Sequence, residues 1–199
     1  MKIGIFGGSF NPIHNGHIKM AEKFIERAEL DRLIVMPTGA PFYKFLPDLA
    51  KADDRLEMCK IAFGNNKKII VSDIETKSEG KVYTYDTLCR IKQQYPDSSL
   101  FMLVGSDVLN SIVYWYKSDE ILSVAKICAF CRPGAAISPK IMEKIQSKTT
   151  NIELFGDPMP DISSTMVREK IRNGDGINNL ISKSVLDYIK ENHIDELWK

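Results

Sequence analysis

The segment Lys2–His17, KIGIFGGSFNPIHNGH, decides how the rest of the chain is read. Lys2–Gly7 is a short apolar run that reads as a buried strand. Gly7 and Gly8 end it where backbone can approach a ligand without an intervening side chain. Pro12 fixes a turn, and Asn15-Gly16 is a turn-forming dipeptide. His17 then opens an amphipathic pattern whose apolar stripe is Ile18, Ala21, Phe24 and Ile25. His14 and His17 therefore flank a tight turn at a helix N-terminus, where free N–H groups and the helix dipole favour an anion. Two imidazoles there can donate hydrogen bonds to phosphate oxygens. As metal ligands they lack a completing set, because no Cys, Asp or Glu is near them in sequence. The P-loop pattern and the G-x-G-x-x-G pattern are both absent from this loop, which argues against a kinase-like NTPase and a dehydrogenase.

Outward from this segment, short apolar runs alternate with helical ones. Strands are expected at Lys2–Gly7, Arg32–Thr38, Lys68–Ser72, Leu100–Gly105, Lys126–Arg132 and Asn151–Phe155. Helices are expected at His17–Ala28, Asp53–Phe63, Tyr85–Tyr95, Ser118–Val124, Pro139–Lys148, Thr165–Asn173 and Ser182–Asn192. The alternation predicts an α/β fold: a doubly wound, Rossmann-like parallel sheet with helices on both faces. Residues 1–199 read as a single domain whose last part, from about residue 160, is a small helical subdomain. In such sheets ligands bind beyond the carboxyl ends of the strands, where the strand order reverses. The loops after the first and fourth strands, GGSFNPIHNGH and GSDVLNS, are the positions of interest. Gly39–Ala52 is the longest unpatterned stretch, a length that suits a lid.

Composition narrows the classes of function. Hydrophobic residues are 44% and charged residues 27% of 199, as in ordinary globular chains. The formal net charge is +1 with no long basic run, so nucleic acid and membrane surfaces are not expected partners. No stretch approaches the roughly 20 apolar residues that span a bilayer. The N-terminus enters a strand without a signal-peptide pattern, and the expected compartment is the cytoplasm. Cys59, Cys89, Cys128 and Cys131 suit reduced thiols there. Cys128 and Cys131 form a C-x-x-C, but on a strand residues three apart face opposite ways, so both read as structural. His193 reads as a surface residue.

HNGH, His14–His17, matches the H-x-G-H signature of the nucleotidylyltransferase superfamily and resembles the HIGH motif of class I aminoacyl-tRNA synthetases. The wider string GGSFNPIHNGH resembles the bacterial nicotinate-nucleotide adenylyltransferases. Ile162–Arg168, ISSTMVR, is similar to that family's I-S-S-T-x-x-R segment. Physically, Ser163, Ser164 and Thr165 are good helix N-caps, and Arg168 one turn inside can reach a phosphate bidentately. Lys44 matches the family's P-P-H-K segment, from which Phe42 and Tyr43 depart. Asp107 resembles the G-x-D aspartate, and a carboxylate there can accept ribose hydroxyls. Tyr83–Leu88 is similar to a Y-T-x-D-T-L segment, and Trp115-Tyr116 match an aromatic pair that stacks on a pyridine ring. Arg132 matches a recurrent segment and is only a subsidiary candidate. The resemblance spans nearly the whole chain.

The resemblance implies an enzyme of NAD biosynthesis that transfers the AMP part of ATP to nicotinic acid mononucleotide. It implies ATP contacts from Gly7, Gly8, Ser9, Phe10, His14, His17, Ser163, Ser164, Thr165 and Arg168. For the acceptor nucleotide it implies Asn11, Lys44, Thr84, Tyr85, Asp107, Trp115 and Tyr116. His14, His17, Lys44 and Arg168 would be catalytic, and Mg²⁺ would be bound mainly through the ATP phosphates, with no dedicated protein metal site. Homo-oligomer formation is left open. The alternatives are a sister transferase acting on nicotinamide mononucleotide or phosphopantetheine, and a non-catalytic ATP-binding sensor. A purely structural module would have to treat every motif as coincidence.

Overall fold

The structure, a computed structural model, describes residues 1–39, 47–130, 137–177 and 179–199, and only the backbone of Asp107. A six-stranded parallel sheet runs in the order β3-β2-β1-β4-β5-β6. The strands are β1 (Lys2–Gly8), β2 (Arg32–Pro37), β3 (Ile69–Val71), β4 (Ser99–Gly105), β5 (Ala125–Phe130) and β6 (Ile152–Phe155). The helices are α1 (Asn15–Arg27), α2 (Ala52–Phe63), α3 (Thr84–Gln94), α4 (Ser106–Leu109), α5 (Ser118–Val124), α6 (Pro139–Gln146), α7 (Ser164–Asn173) and α8 (Lys183–Glu191). The order reverses between β1 and β4, so the fold is the doubly wound α/β arrangement that the alternation predicts. Each helix lies within a residue or two of its expected position, apart from α4, where the sequence reads as loop.

The chain divides into two compact units, each assembled from separate stretches. The first comprises residues 1–6, 20–34 and 82–159. Here β1 pairs in parallel with β4 in the register Ile3 to Leu100 and Ile5 to Met102. β4 pairs with β5 and β5 with β6 in the same sense. Central strands buried on both faces need continuous apolar runs. Accordingly Ile127, Cys128, Ala129 and Phe130 are all fully buried. Phe130 packs on Phe155 with ring centroids 4.9 Å apart. Burial pushes the Cys128 thiol up to about 12, which suits an inert structural cysteine. Cys131 lies outside the described residues.

The second unit comprises residues 7–19, 35–81 and 160–199. Ser163 caps α7 by accepting from the Met166 N–H at 3.1 Å. Gly174, at φ 73°, closes the helix in the left-handed conformation, and Asp175 N–H reaches back to Lys170 O. Ser182 caps α8, and Trp198 is fully buried with its indole N–H donating to Asp48 O at 2.9 Å. His193 is exposed, 3.4 Å from Glu196.

In the first unit, close helix–strand packing depends on Gly4. A Cβ at Gly4 would fall 2.3 Å from Leu30 Cδ1 and 2.9 Å from both Leu33 Cδ1 and Phe24 Cε1. Gly4→Val should therefore destabilise the fold by about 1–3 kcal/mol through overpacking, measured as a lower denaturant midpoint at unchanged m-value.

Candidate functional site

Helix α1 begins earlier than the sequence pattern indicates, and that shift defines the site. The His14 carbonyl accepts from Ile18 N–H at 3.2 Å and His17 N–H at 2.9 Å, so His14 is the N-cap. Asn15 and Gly16, read from sequence as a free turn, are the first two helical residues. His17 is the third, and its Nδ1 accepts from the His14 backbone N–H at 3.3 Å. This is one half of a capping box, with an imidazole where Glu or Gln is usual. With Nδ1 accepting, the proton of a neutral His17 ring belongs on Nε2. The two imidazoles stack at 3.6 Å with 26° between planes, and Phe10 meets His17 edge-on at 5.0 Å. His14 is 1% exposed, so its ring is held in place by packing.

Gly16 makes this arrangement possible. A Cβ there would lie 3.0 Å from both Cε1 and Nδ1 of His14 and 3.5 Å from Ile162 Cβ. The requirement is for space over the helix start and not for an unusual backbone angle.

The start of α7 is tied directly to the same loop. Ser164 Oγ donates to Pro12 O at 3.0 Å, and Arg168 Nη1 donates to Asn11 O at 2.9 Å. Arg168 Nε is buried and meets no acceptor among the described residues. Burial, more than any neighbouring charge, lowers the Arg168 pKa. The second unit thus brings together His14, His17, Ser163, Ser164, Thr165 and Arg168, which are far apart in sequence.

Arg55 is a residue that the sequence reading missed. It is 1% exposed and has no carboxylate partner among its described hydrogen bonds. Its Nε donates to Ala50 O at 3.0 Å, Nη1 to Ser9 O at 2.9 Å and Nη2 to Gly39 O at 2.9 Å. One guanidinium therefore fixes the loop after β1 to the backbone on either side of residues 40–46. Asn11 works alongside it, donating from Nδ2 to Asp48 O at 2.8 Å and accepting from Ala50 N–H at 3.0 Å. Both ends of the Asn11 amide are thus engaged with backbone. The acceptors are main-chain carbonyls, which carry no residue signature in a sequence.

In the first unit, Thr84 and Tyr85 begin α3, and Tyr116 packs on Tyr83 with centroids 4.5 Å apart. Trp115 is half-buried and donates from Nε1 to Ser111 Oγ at 3.2 Å. Tyr116 is 48% exposed. Of the residues expected near an acceptor ring, Tyr116 therefore packs on Tyr83, the residue that precedes Thr84 and Tyr85 at the start of α3. Asp107 is the second residue of the short α4, its side chain outside what is described. Lys44, with Phe42 and Tyr43, lies outside the described residues, as does Arg132. Among the described residues no group of three or more His, Cys, Asp or Glu is placed to hold a metal ion, and no helix is long and apolar enough to cross a membrane.

Comparison with known proteins bears on the family and on the fold. A family model described as cytidylyltransferase-like matches residues 5–170. A probable nicotinate-nucleotide adenylyltransferase of Dehalococcoides mccartyi (strain CBDB1) is 37% identical over 98% of this chain and 97% of its own length. The nicotinate-nucleotide adenylyltransferase of Bacillus subtilis (strain 168) is 36% identical over 98% of each chain. Among solved structures, Plasmodium falciparum nicotinic acid mononucleotide adenylyltransferase complexed with NaAD superposes with TM-score 0.81. It covers 98% of both chains at 24% identity, a likeness of fold.

The Gly16 geometry sets two effects against each other. Ala at that helical position should add about 0.5–1 kcal/mol of helix stability. The same methyl should push the His14 ring aside and lower adenylyl transfer roughly tenfold or more. Gly16→Ala is therefore expected to keep or raise Tm while losing turnover; unchanged turnover would show that His14 can move without consequence.

Proposed function

The chain belongs to the nicotinate-nucleotide adenylyltransferases of the cytidylyltransferase-like family, and on that premise we propose that it moves AMP from ATP to nicotinic acid mononucleotide. The products are deamido-NAD and pyrophosphate, and residues 1–199 work as one nucleotidyltransferase domain in the cytoplasm. The observation that carries this reading is the convergence of the α1 and α7 N-termini on one loop, with two imidazoles and a guanidinium among the donors. Such a site suits a triphosphate.

The attacking group is a phosphate already ionised at neutral pH. Its oxygen forms a bond to the α-phosphorus while the bond to the bridging oxygen breaks, and pyrophosphate leaves with that electron pair. No proton has to be removed from the nucleophile, so no general base is needed. The chain's task is positioning and charge stabilisation around an in-line transition state. His14 and His17 are assigned to the α-phosphate and bridging oxygens, His17 donating from Nε2. Ser164 and Arg168, with Ser163 and Thr165, hold the β and γ phosphates, and Lys44 assists. Backbone of Gly7, Gly8, Ser9 and Phe10 completes the ATP contacts. Thr84, Tyr85, Trp115 and Tyr116 receive the pyridine, with Asn11 and Asp107 toward the rest of the acceptor.

Mg²⁺ fits this donor set as an ion carried by the nucleotide. The described residues offer cationic and N–H donors to phosphate rather than a carboxylate cage, so phosphate oxygens and water would hold the ion. When bound, it neutralises charge on the leaving pyrophosphate.

The test is pyrophosphate release from Mg-ATP with nicotinic acid mononucleotide, its amide counterpart or phosphopantetheine. Nicotinic acid mononucleotide should give the highest kcat/KM. A higher value for either other acceptor would assign the chain to a sister activity, and no release with any would leave a nucleotide-binding protein. His17→Ala should lower kcat by roughly 10²–10³ with the fold intact, as for a single lost oxyanion donor. Near wild-type turnover in that variant would remove the assigned role.

A further inference from the structure

The buried Trp198 is hydrogen-bonded at both its indole and its carbonyl, and each bond leads back to the loop after β1. Its indole N–H donates to Asp48 O at 2.9 Å. The same oxygen accepts from Asn11 Nδ2 at 2.8 Å, so both lone pairs of that carbonyl are taken. The Trp198 carbonyl accepts from Arg172 Nε. Arg172 stands one turn after Arg168 on α7, where residues four apart share a face. Arg168 returns to the start by donating to Asn11 O at 2.9 Å.

The bonds therefore close a ring. It runs from Asn11 to Asp48, Trp198 and Arg172, then along α7 to Arg168 and back to Asn11. An open chain of bonds leaves its ends free to drift, whereas closure fixes each member from two sides. The Asp48 carboxylate reinforces the ring, lying 3.9 Å from Arg172 Nη2 and acting electrostatically on Arg168. A buried indole N–H needs an acceptor, but any carbonyl would serve. Here the acceptor is the one that Asn11 also uses. Arg172 is exposed, so water could satisfy its guanidinium, and its bond to Trp198 is not demanded by burial.

We propose that Trp198 and Arg172 are positioning residues that hold Asn11 and Arg168 in place for the transfer step through this ring. The inference rests on the adenylyl-transfer reading and concerns two residues to which that reading gives no ligand contact. Steady-state kinetics of the full chain with Mg-ATP and nicotinic acid mononucleotide, well below Tm, test it. Trp198→Phe keeps an aromatic side chain in the core, leaves Asp48 O with its Asn11 bond and breaks the ring. It should lower kcat roughly 5- to 20-fold and change KM for nicotinic acid mononucleotide less than about twofold, the split expected when only transition-state placement suffers. Arg172→Met, at an exposed position, should give the same split and decides the matter if Trp198→Phe folds poorly.

Because both substitutions open one ring, the double variant should lose no more than about twofold beyond the weaker single variant. Ile189→Ala, fully buried in α8 and outside the ring, should lower Tm with kcat kept. Unchanged kcat in the ring variants, multiplying losses in the double variant, or an equal loss of kcat in Ile189→Ala would overturn the role of the ring while leaving adenylyl transfer intact. Wild type without turnover would overturn both.

Discussion

Five carbonyl oxygens in and beside the loop after β1 are bound to donors in the same unit, and the proposed site depends on that constraint. Gly8 O accepts from Thr38 N–H, Ser9 O from Arg55, Asn11 O from Arg168 and Pro12 O from Ser164. His14 O accepts from the first turn of α1. A phosphate is repelled by carbonyl oxygens and attracted by N–H groups and cations. Directing the negative ends of five peptide dipoles into the protein leaves the loop's surroundings hospitable to an anion. The same bonds fix the loop, so little reorganisation is required when charge develops on a bound ligand.

Arg55 and Arg168 take different parts in that arrangement. All three donating nitrogens of Arg55 are engaged with carbonyls, and burial lowers its pKa for want of a neutralising partner. It is a structural cation whose field still acts behind the loop. Arg168 makes one backbone bond and a long contact to Thr165, and its buried Nε remains without an acceptor among the described residues. Buried donors in folded proteins are normally satisfied. A guanidinium anchored at one nitrogen with another left unmet suits the phosphate-binding role proposed for Arg168.

Much of this was legible from residue order. Strand–helix alternation located the six strands, because buried parallel strands must be apolar throughout. The pairing of HNGH with ISSTMVR identified the two helix starts that the structure joins. The errors are physically instructive. Asn15-Gly16 reads as a turn because Asn and Gly favour turns; here the His14 cap recruits them into α1, and Gly16 serves the clearance of an imidazole. Arg55, in the run ADDRLEMCK, carries no mark of its burial in the sequence, since an arginine is rarely buried without a paired charge. Its partners are carbonyls of Ser9, Gly39 and Ala50, which any residue could supply. Side-chain patterns record which face is buried, whereas main-chain acceptors become visible only with coordinates.

The capping geometry of His17 links fold and chemistry more closely than either motif alone. A Glu at the same helix position would close an equally good capping box, and would place a carboxylate where an anion is to bind. An imidazole satisfies the His14 N–H through Nδ1 while keeping a donor on its far side. The stacked His14 ring, given room by Gly16, holds that orientation against rotation. The H-x-G-H spacing is then a consequence of helix geometry. The third helical residue is the one whose side chain reaches back to the N-cap N–H, and the second must be small enough for the N-cap ring to fold back over it.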